Sequence, residues 1–130
     1  MIGREKMRIT ALAIATILAV SSYTSNVARA DDTGFASIHE HVRQGRLLCM
    51  ATHQHFGSSQ GQRDKRRALA AAVNDWRGFT AWEYGTDWAS WHAAKSKAVN
   101  CTGTAGNYGC SIAARPCRRW VRPRQARRRR

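Results

Sequence analysis

Four cysteines behind what reads as an export leader constrain this 130-residue chain more than any other feature. Cys49, Cys101, Cys110 and Cys117 all lie beyond the leader, and an even count in a small exported chain argues for two disulfides. Arg4, Lys6 and Arg8 make a basic start, and Ile9 to Val20 is an apolar run of about a dozen residues, too short to span a bilayer. Polar residues follow, and then Ala28-Arg29-Ala30, a small-x-small cleavage site. Cleavage before Asp31 is favoured over an uncleaved anchor. Residues 1–30 are then the signal peptide, 31–117 a small disulfide-stapled domain, and 118–130 an Arg-rich flexible tail. No Arg-Arg pair precedes the apolar run, which favours general secretion over a twin-arginine route. No second stretch is apolar enough for a transmembrane helix. The expected location is periplasmic or extracellular. A domain this small buries a modest share of its surface and benefits from cross-links.

Hydrophobic periodicity supplies the elements. Ile38, Val42, Cys49, His53 and Phe56 recur at sums of threes and fours, which predicts a helix over 35–56, weakened or divided at Gly45. Residues 57–62, Gly-Ser-Ser-Gln-Gly-Gln, read as a loop. Asp64 is placed to cap a second helix with Leu69, Val73, Trp76, Phe79 and Trp82 on one side, ending at Gly85. Thr86 or Asp87 is placed to cap a third, short helix carrying Trp88, Trp91 and Ala94. From Lys97 the period changes to two, and a glycine-rich loop joins two alternating runs into a β-hairpin. A loop at Thr104 to Asn107 pairs Gly103 with Tyr108, Cys101 with Cys110, and Val99 with Ile112. That register puts both cysteines on one face, so of the three pairings Cys101–Cys110 is favoured and Cys49–Cys117 follows by elimination. The second would tie the first helix to the end of the hairpin and stabilise by roughly 4 kcal/mol in the chain-entropy picture. The expected fold class is α+β: two or three helices, then a disulfide-bridged C-terminal hairpin and a disordered Arg tail.

Charge is unevenly placed. Residues 31–114 hold nine basic and seven acidic residues, whereas 115–130 hold nine arginines and no acid. The candidate anion-binding residues are therefore Arg115, Arg118, Arg119, Arg122, Arg124, Arg127, Arg128, Arg129 and Arg130. Guanidinium groups bind phosphate and carboxylate in bidentate fashion. Trp120, set among them, is the candidate interface anchor, its ring at a boundary and the neighbouring guanidiniums on anionic groups.

Tyr84-Gly85, Trp88, Trp91, Ala94, Cys101, Cys110 and Ala114-Arg115-Pro116-Cys117 together resemble a C-terminal pattern of small exported proteins of rhizobium-like bacteria. The resemblance covers about a third of the chain. It implies an exported Gram-negative protein of uncharacterised function and brings no catalytic residue with it.

Catalytic and cofactor signatures are sparse. His39 and His41, and likewise His53 and His55, are two residues apart. On a helix such residues point about 200° apart, so neither pair would chelate a metal. Metal binding through them would need unwound segments, and surface or capping roles are favoured. No C-x-x-C, G-x-S-x-G or phosphate-cradling glycine loop occurs. Glu40 between His39 and His41 is the one suggestive acid–base cluster. Trp76, Trp82, Trp88 and Trp91 read as core, with exposure of one or two as a sugar-stacking platform the alternative.

These observations point to a non-enzymatic exported protein without cofactor or metal. Its tail would associate with anionic lipid headgroups, lipopolysaccharide or acidic polysaccharide, with nucleic acid ranked below them. The alternative is a carbohydrate-binding module using exposed tryptophans.

Overall fold

In the computed structural model, which describes residues 31–121, a carboxylate starts the one α-helix among those residues. The expected signal peptide and the arginines from Arg122 onward lie outside them. Helix α1 spans Lys65–Tyr84. Asp64 is extended at its N-cap and accepts the Arg67 N–H at 2.8 Å. The helix stops at Gly85, whose φ of 100° suits glycine; a Cβ there would also collide with the Asp31 carbonyl. The carbonyls freed at this end are taken by the N-terminal lead. Thr33 donates its N–H to the Tyr84 carbonyl at 3.2 Å and its hydroxyl to the Glu83 carbonyl at 2.5 Å.

The buried stripe of α1 is Ala68, Ala72, Trp76, Thr80 and Tyr84. This corrects the expected one, because Phe79 and Trp82 are exposed. Steps of four move a stripe by about 40° per turn and steps of three carry it back by about 60°, so past Trp76 the two diverge to opposite sides of the helix. The four-step stripe wins because small residues let the helix lie close to a sheet.

That sheet has strand order β3-β5-β4, with β3 at His55–Gln62, β4 at Lys95–Thr104 and β5 at Asn107–Arg115, all antiparallel. The β4–β5 hairpin pairs Gly103 with Tyr108, Cys101 with Cys110, and Val99 with Ile112, the expected register, and turns through Ala105 and Gly106 alone. The segment expected to be a loop at 57–62 is most of β3. Its small residues are there for contact. A Cβ on Gly57 would collide with the Ala72 carbonyl and with Trp76. The Ser59 hydroxyl donates to the Ala68 carbonyl at 2.7 Å and accepts the Cys110 N–H at 3.1 Å. A bulge between Ser59 and Gln62, with Gly61 at φ 66°, breaks the ladder near the end of the strand.

A second sheet replaces the expected first helix. It has order β1-β2-β6, with β1 at His41–Gln44, β2 at Leu47–Met50 and β6 at Cys117–Arg119. The helical reading fails because the face it assumed is not a buried one: Cys49 is buried, but Ile38, Val42 and Phe56 are all exposed. Gly45, at φ 60°, instead forms a two-residue turn with Arg46, so that Gln44 pairs with Leu47. Among the described residues only a 3-10 turn, Phe35–Ile38, precedes β1. The expected third helix is likewise a single 3-10 turn, Thr86–Trp88. The expectation of two or three helices is therefore overturned. The described chain is mostly β, in two sheets with one α-helix.

Both disulfides link directly paired strands. Cys49–Cys117 joins β2 to β6, and Cys101–Cys110 joins β4 to β5. Two buried clusters result. Ala68, Ala72, Trp76, Ala94, Cys110, Ile112 and Ala114 lie between α1 and the β3-β5-β4 sheet. Ala36, Met50, Tyr84 and Trp88 gather at the C-terminal end of α1.

Candidate functional site

The basic end of the molecule is built by the β1–β2 turn and the strand beside it. Arg119 pairs with Leu47 at the end of β6, and the next residue, Trp120, donates its N–H to the Arg46 carbonyl at 2.8 Å. The Arg43 guanidinium covers the Trp120 ring at 4.1 Å. Trp120 is thus half-buried and capped, and Arg43, Arg46 and Arg119 are exposed around it. Arg43 and Arg46 join the basic end only because a hairpin forms where a helix was expected. An odd glycine between two short runs, Gln44-Gly45-Arg46, was the sequence signal for it.

The other two candidate arginines among the described residues, Arg115 and Arg118, are engaged within the fold. Arg115 donates Nη1 to the Met50 and Ala51 carbonyls at 3.1 and 2.8 Å and Nε to Ser96 Oγ at 3.1 Å. Arg118 pairs with Asp32 at 2.5 Å and lies 5.0 Å from the Trp88 ring centre. Arg122, Arg124, Arg127, Arg128, Arg129 and Arg130 lie outside the described residues.

The tryptophans divide. Trp76 and Trp88 are fully buried, Trp91 is half-buried, and Trp82 is 75% exposed beside Phe79, their ring centres 5.8 Å apart.

A polar cluster that sequence reasoning missed sits at the C-terminal end of α1. With 35–56 unwound from a helix, His39 falls just after the 3-10 turn, His53 in the β2–β3 connection and His55 at the start of β3. Their rings gather around Tyr84: His55 stacks on it at 4.8 Å, and His39 and His53 meet it edge-on at 5.5 and 6.0 Å. His39 and His53 are themselves 4.6 Å apart, ring centre to ring centre. The lone-pair atoms of His39, His53 and Glu83 all lie within 4.8 Å of one another.

His55 is the buried member, at 1% exposure. The Thr80 hydroxyl donates to the Trp76 carbonyl at 2.7 Å, so it accepts from His55 Nδ1–H at 2.9 Å. Burial, reinforced by His53 and His39, lowers the His55 pKa to about 4. The ring is then neutral at pH 7, with its proton on Nδ1 and a lone pair on Nε2. Glu83 Oε2 stands 2.8 Å from that Nε2, which would favour a charged ring, but the two atoms form no hydrogen bond, so burial prevails. Tyr84 is shifted the other way, up to about 12, by burial and then by the Glu83 charge. Its buried hydroxyl has no partner.

Beside this cluster a cavity of about 380 Å³ is bordered by Asp32, Ser37, His41, Trp88 and Arg118. His41 stacks on Trp88 at 5.2 Å, and His41 Nε2 and Trp88 Nε1 are both buried without hydrogen-bond partners. Glu40, the suggestive acid of the sequence, is exposed and forms no part of the histidine cluster.

Among the described residues no helix is long and apolar enough to cross a membrane. No protein-family model, curated protein or solved structure matches the chain.

Proposed function

We propose that this is an exported, non-enzymatic protein that associates with anionic envelope surfaces (lipid headgroups, lipopolysaccharide or acidic polysaccharide) through its basic C-terminal end. One observation carries the reading. Arg43, Arg46 and Arg119 surround the capped Trp120 at one end of the β1-β2-β6 sheet, and six more arginines follow within nine residues of chain. A folded basic platform continuous with a polycationic segment suits a dense anionic surface better than a small ligand. Two disulfides in a domain of this size favour an oxidising compartment, and the resemblance to small exported proteins points the same way.

Co-sedimentation with phosphatidylglycerol vesicles, and with neutral vesicles as control, tests the proposal. Binding should be confined to the anionic vesicles, weaken steeply with salt, and be lost on deleting residues 122–130. Arg46→Glu should lower it several-fold. Binding that ignores salt and survives the deletion contradicts the proposal.

A second reading, carbohydrate binding, has a specific observation in its favour: Trp82 stands exposed beside Phe79 on α1. It requires that Trp82→Ala abolish polysaccharide binding at any salt concentration.

A further inference from the structure

We infer that His39, His53 and Glu83 form a binding site for a divalent transition-metal ion, with Zn²⁺ as the reference case. Three separate pieces of the fold deliver these residues. His39 follows the 3-10 turn, with its N–H on the Ala36 carbonyl at 3.1 Å; His53 comes from the β2–β3 connection; Glu83 lies in the last turn of α1. Glu83 is also held through its own carbonyl by the Thr33 hydroxyl. The three lone-pair atoms converge within 4.8 Å. Ligands about 2 Å from a tetrahedral zinc stand about 3.3 Å apart, so side-chain rotations on the order of an ångström close the set.

A second, independent observation points to a cation. Glu83 Oε2 and His55 Nε2 are both buried, 2.8 Å apart, and neither has a hydrogen-bond partner. Buried polar atoms are nearly always satisfied. Here the carboxylate oxygen and the ring nitrogen stand at contact distance without the geometry of a hydrogen bond, while His55 Nδ1 is engaged by the Thr80 hydroxyl on the other side of the ring. A metal ion on Glu83 draws that oxygen's charge toward itself and relieves the contact.

The ligand types select the ion. Two imidazoles and one carboxylate suit zinc and its first-row neighbours, whereas calcium and magnesium take oxygen ligands. With all four cysteines in disulfides, no thiolate competes among the described residues. Three protein ligands leave a fourth position for water or a ligand atom, and Glu83 is partly exposed, so solvent reaches the site.

The test uses the oxidised protein freed of metal with a chelator. Co²⁺ is followed by its visible absorption, and Zn²⁺ by calorimetry. One equivalent should bind, with Zn²⁺ displacing Co²⁺. His39→Ala, His53→Ala and Glu83→Gln should each weaken binding by at least about tenfold. His92→Ala and deletion of 122–130 should leave it unchanged, which separates this site from the basic end. Glu83→Gln keeps the side-chain shape, so its melting in chelator shows whether the fold is intact. A folded Glu83→Gln protein with wild-type affinity overturns the proposal. So does failure of the wild-type protein to take up Co²⁺ or Zn²⁺.

Discussion

The two halves of α1 bury their faces in opposite ways. Toward the N-terminus, Ala68 and Ala72 lie against Gly57 and Ser59 of β3, and no buried side-chain polar atom in the contact lacks a partner. Trp76 ends this half with its indole N–H on the Ala114 carbonyl at 3.3 Å. Toward the C-terminus the same stripe continues as Thr80 and Tyr84, and the surroundings change. The buried side-chain atoms without partners among the described residues are His41 Nε2, His55 Nε2, Glu83 Oε2, Tyr84 OH and Trp88 Nε1, and they belong to this end. Buried polar groups are nearly always satisfied, so open ones confined to one half of a helix interface mark that half as the place to look for a bound group.

The largest test of this contrast removes the staples. Cys49–Cys117 spans 68 residues of chain and fastens the β1-β2-β6 sheet, whereas Cys101–Cys110 spans 9 within one hairpin. Replacing both cysteines of the first pair by serine should cost about 4 kcal/mol, and of the second about 2.5 kcal/mol. Urea unfolding measures both. Equal losses would mean that the two regions do not differ in how they depend on chain entropy.

Acid should find the polar half first. His55 in the folded protein titrates near 4, below its ordinary 6.5, so between those values the unfolded chain binds the extra proton. Its contribution is fully present above pH 6.5, falls as pH drops through that window, and is gone below 4. The loss is about 3 kcal/mol. Unfolding in chelator across this range should show the slope, and His55→Gln should remove it. A wild-type slope in the variant would place the acid sensitivity elsewhere.

The smallest test is the sharpest in sign. Ser59→Ala removes a hydroxyl that bridges α1 and β5 and should destabilise by about 1–2 kcal/mol. Tyr84→Phe removes a buried hydroxyl without a partner and should be neutral or stabilise by about 1 kcal/mol. Thermal melts of the metal-free proteins compare the two directly. A matching loss in both variants would erase the contrast.

Sequence reasoning succeeded where a local signal was also the structural cause. The Asp64 cap, the Gly85 stop and the period of two after Lys97 mark α1 and the β4–β5 hairpin, and the hairpin register carries Cys101 to Cys110. It failed where tertiary contact chose the residue. In β3, Gly57 and Ser59 are small because the helix lies on them, and that composition imitates a loop. In 35–56, spacings of three and four linked buried Cys49 with Ile38, Val42 and Phe56, which prove exposed, and the false helix separated the histidines that the hairpin and the following connection bring together. The basic end suffered the same way. A helix over 35–56 gives no reason to group Arg43 and Arg46 with Trp120, which they flank once β1 and β2 pair with β6.

The central claim is that Glu83, whose carboxylate is among the open polar groups at the end of α1, holds an ion together with His39 and His53. An anomalous difference map at the zinc absorption edge, from crystals of the oxidised protein grown with zinc, tests it most directly. The account predicts one strong peak between His39, His53 and Glu83, with the three side chains drawn in around it. A map without a peak there, in which the three side chains remain splayed and zinc sits only at other surface residues, would contradict it.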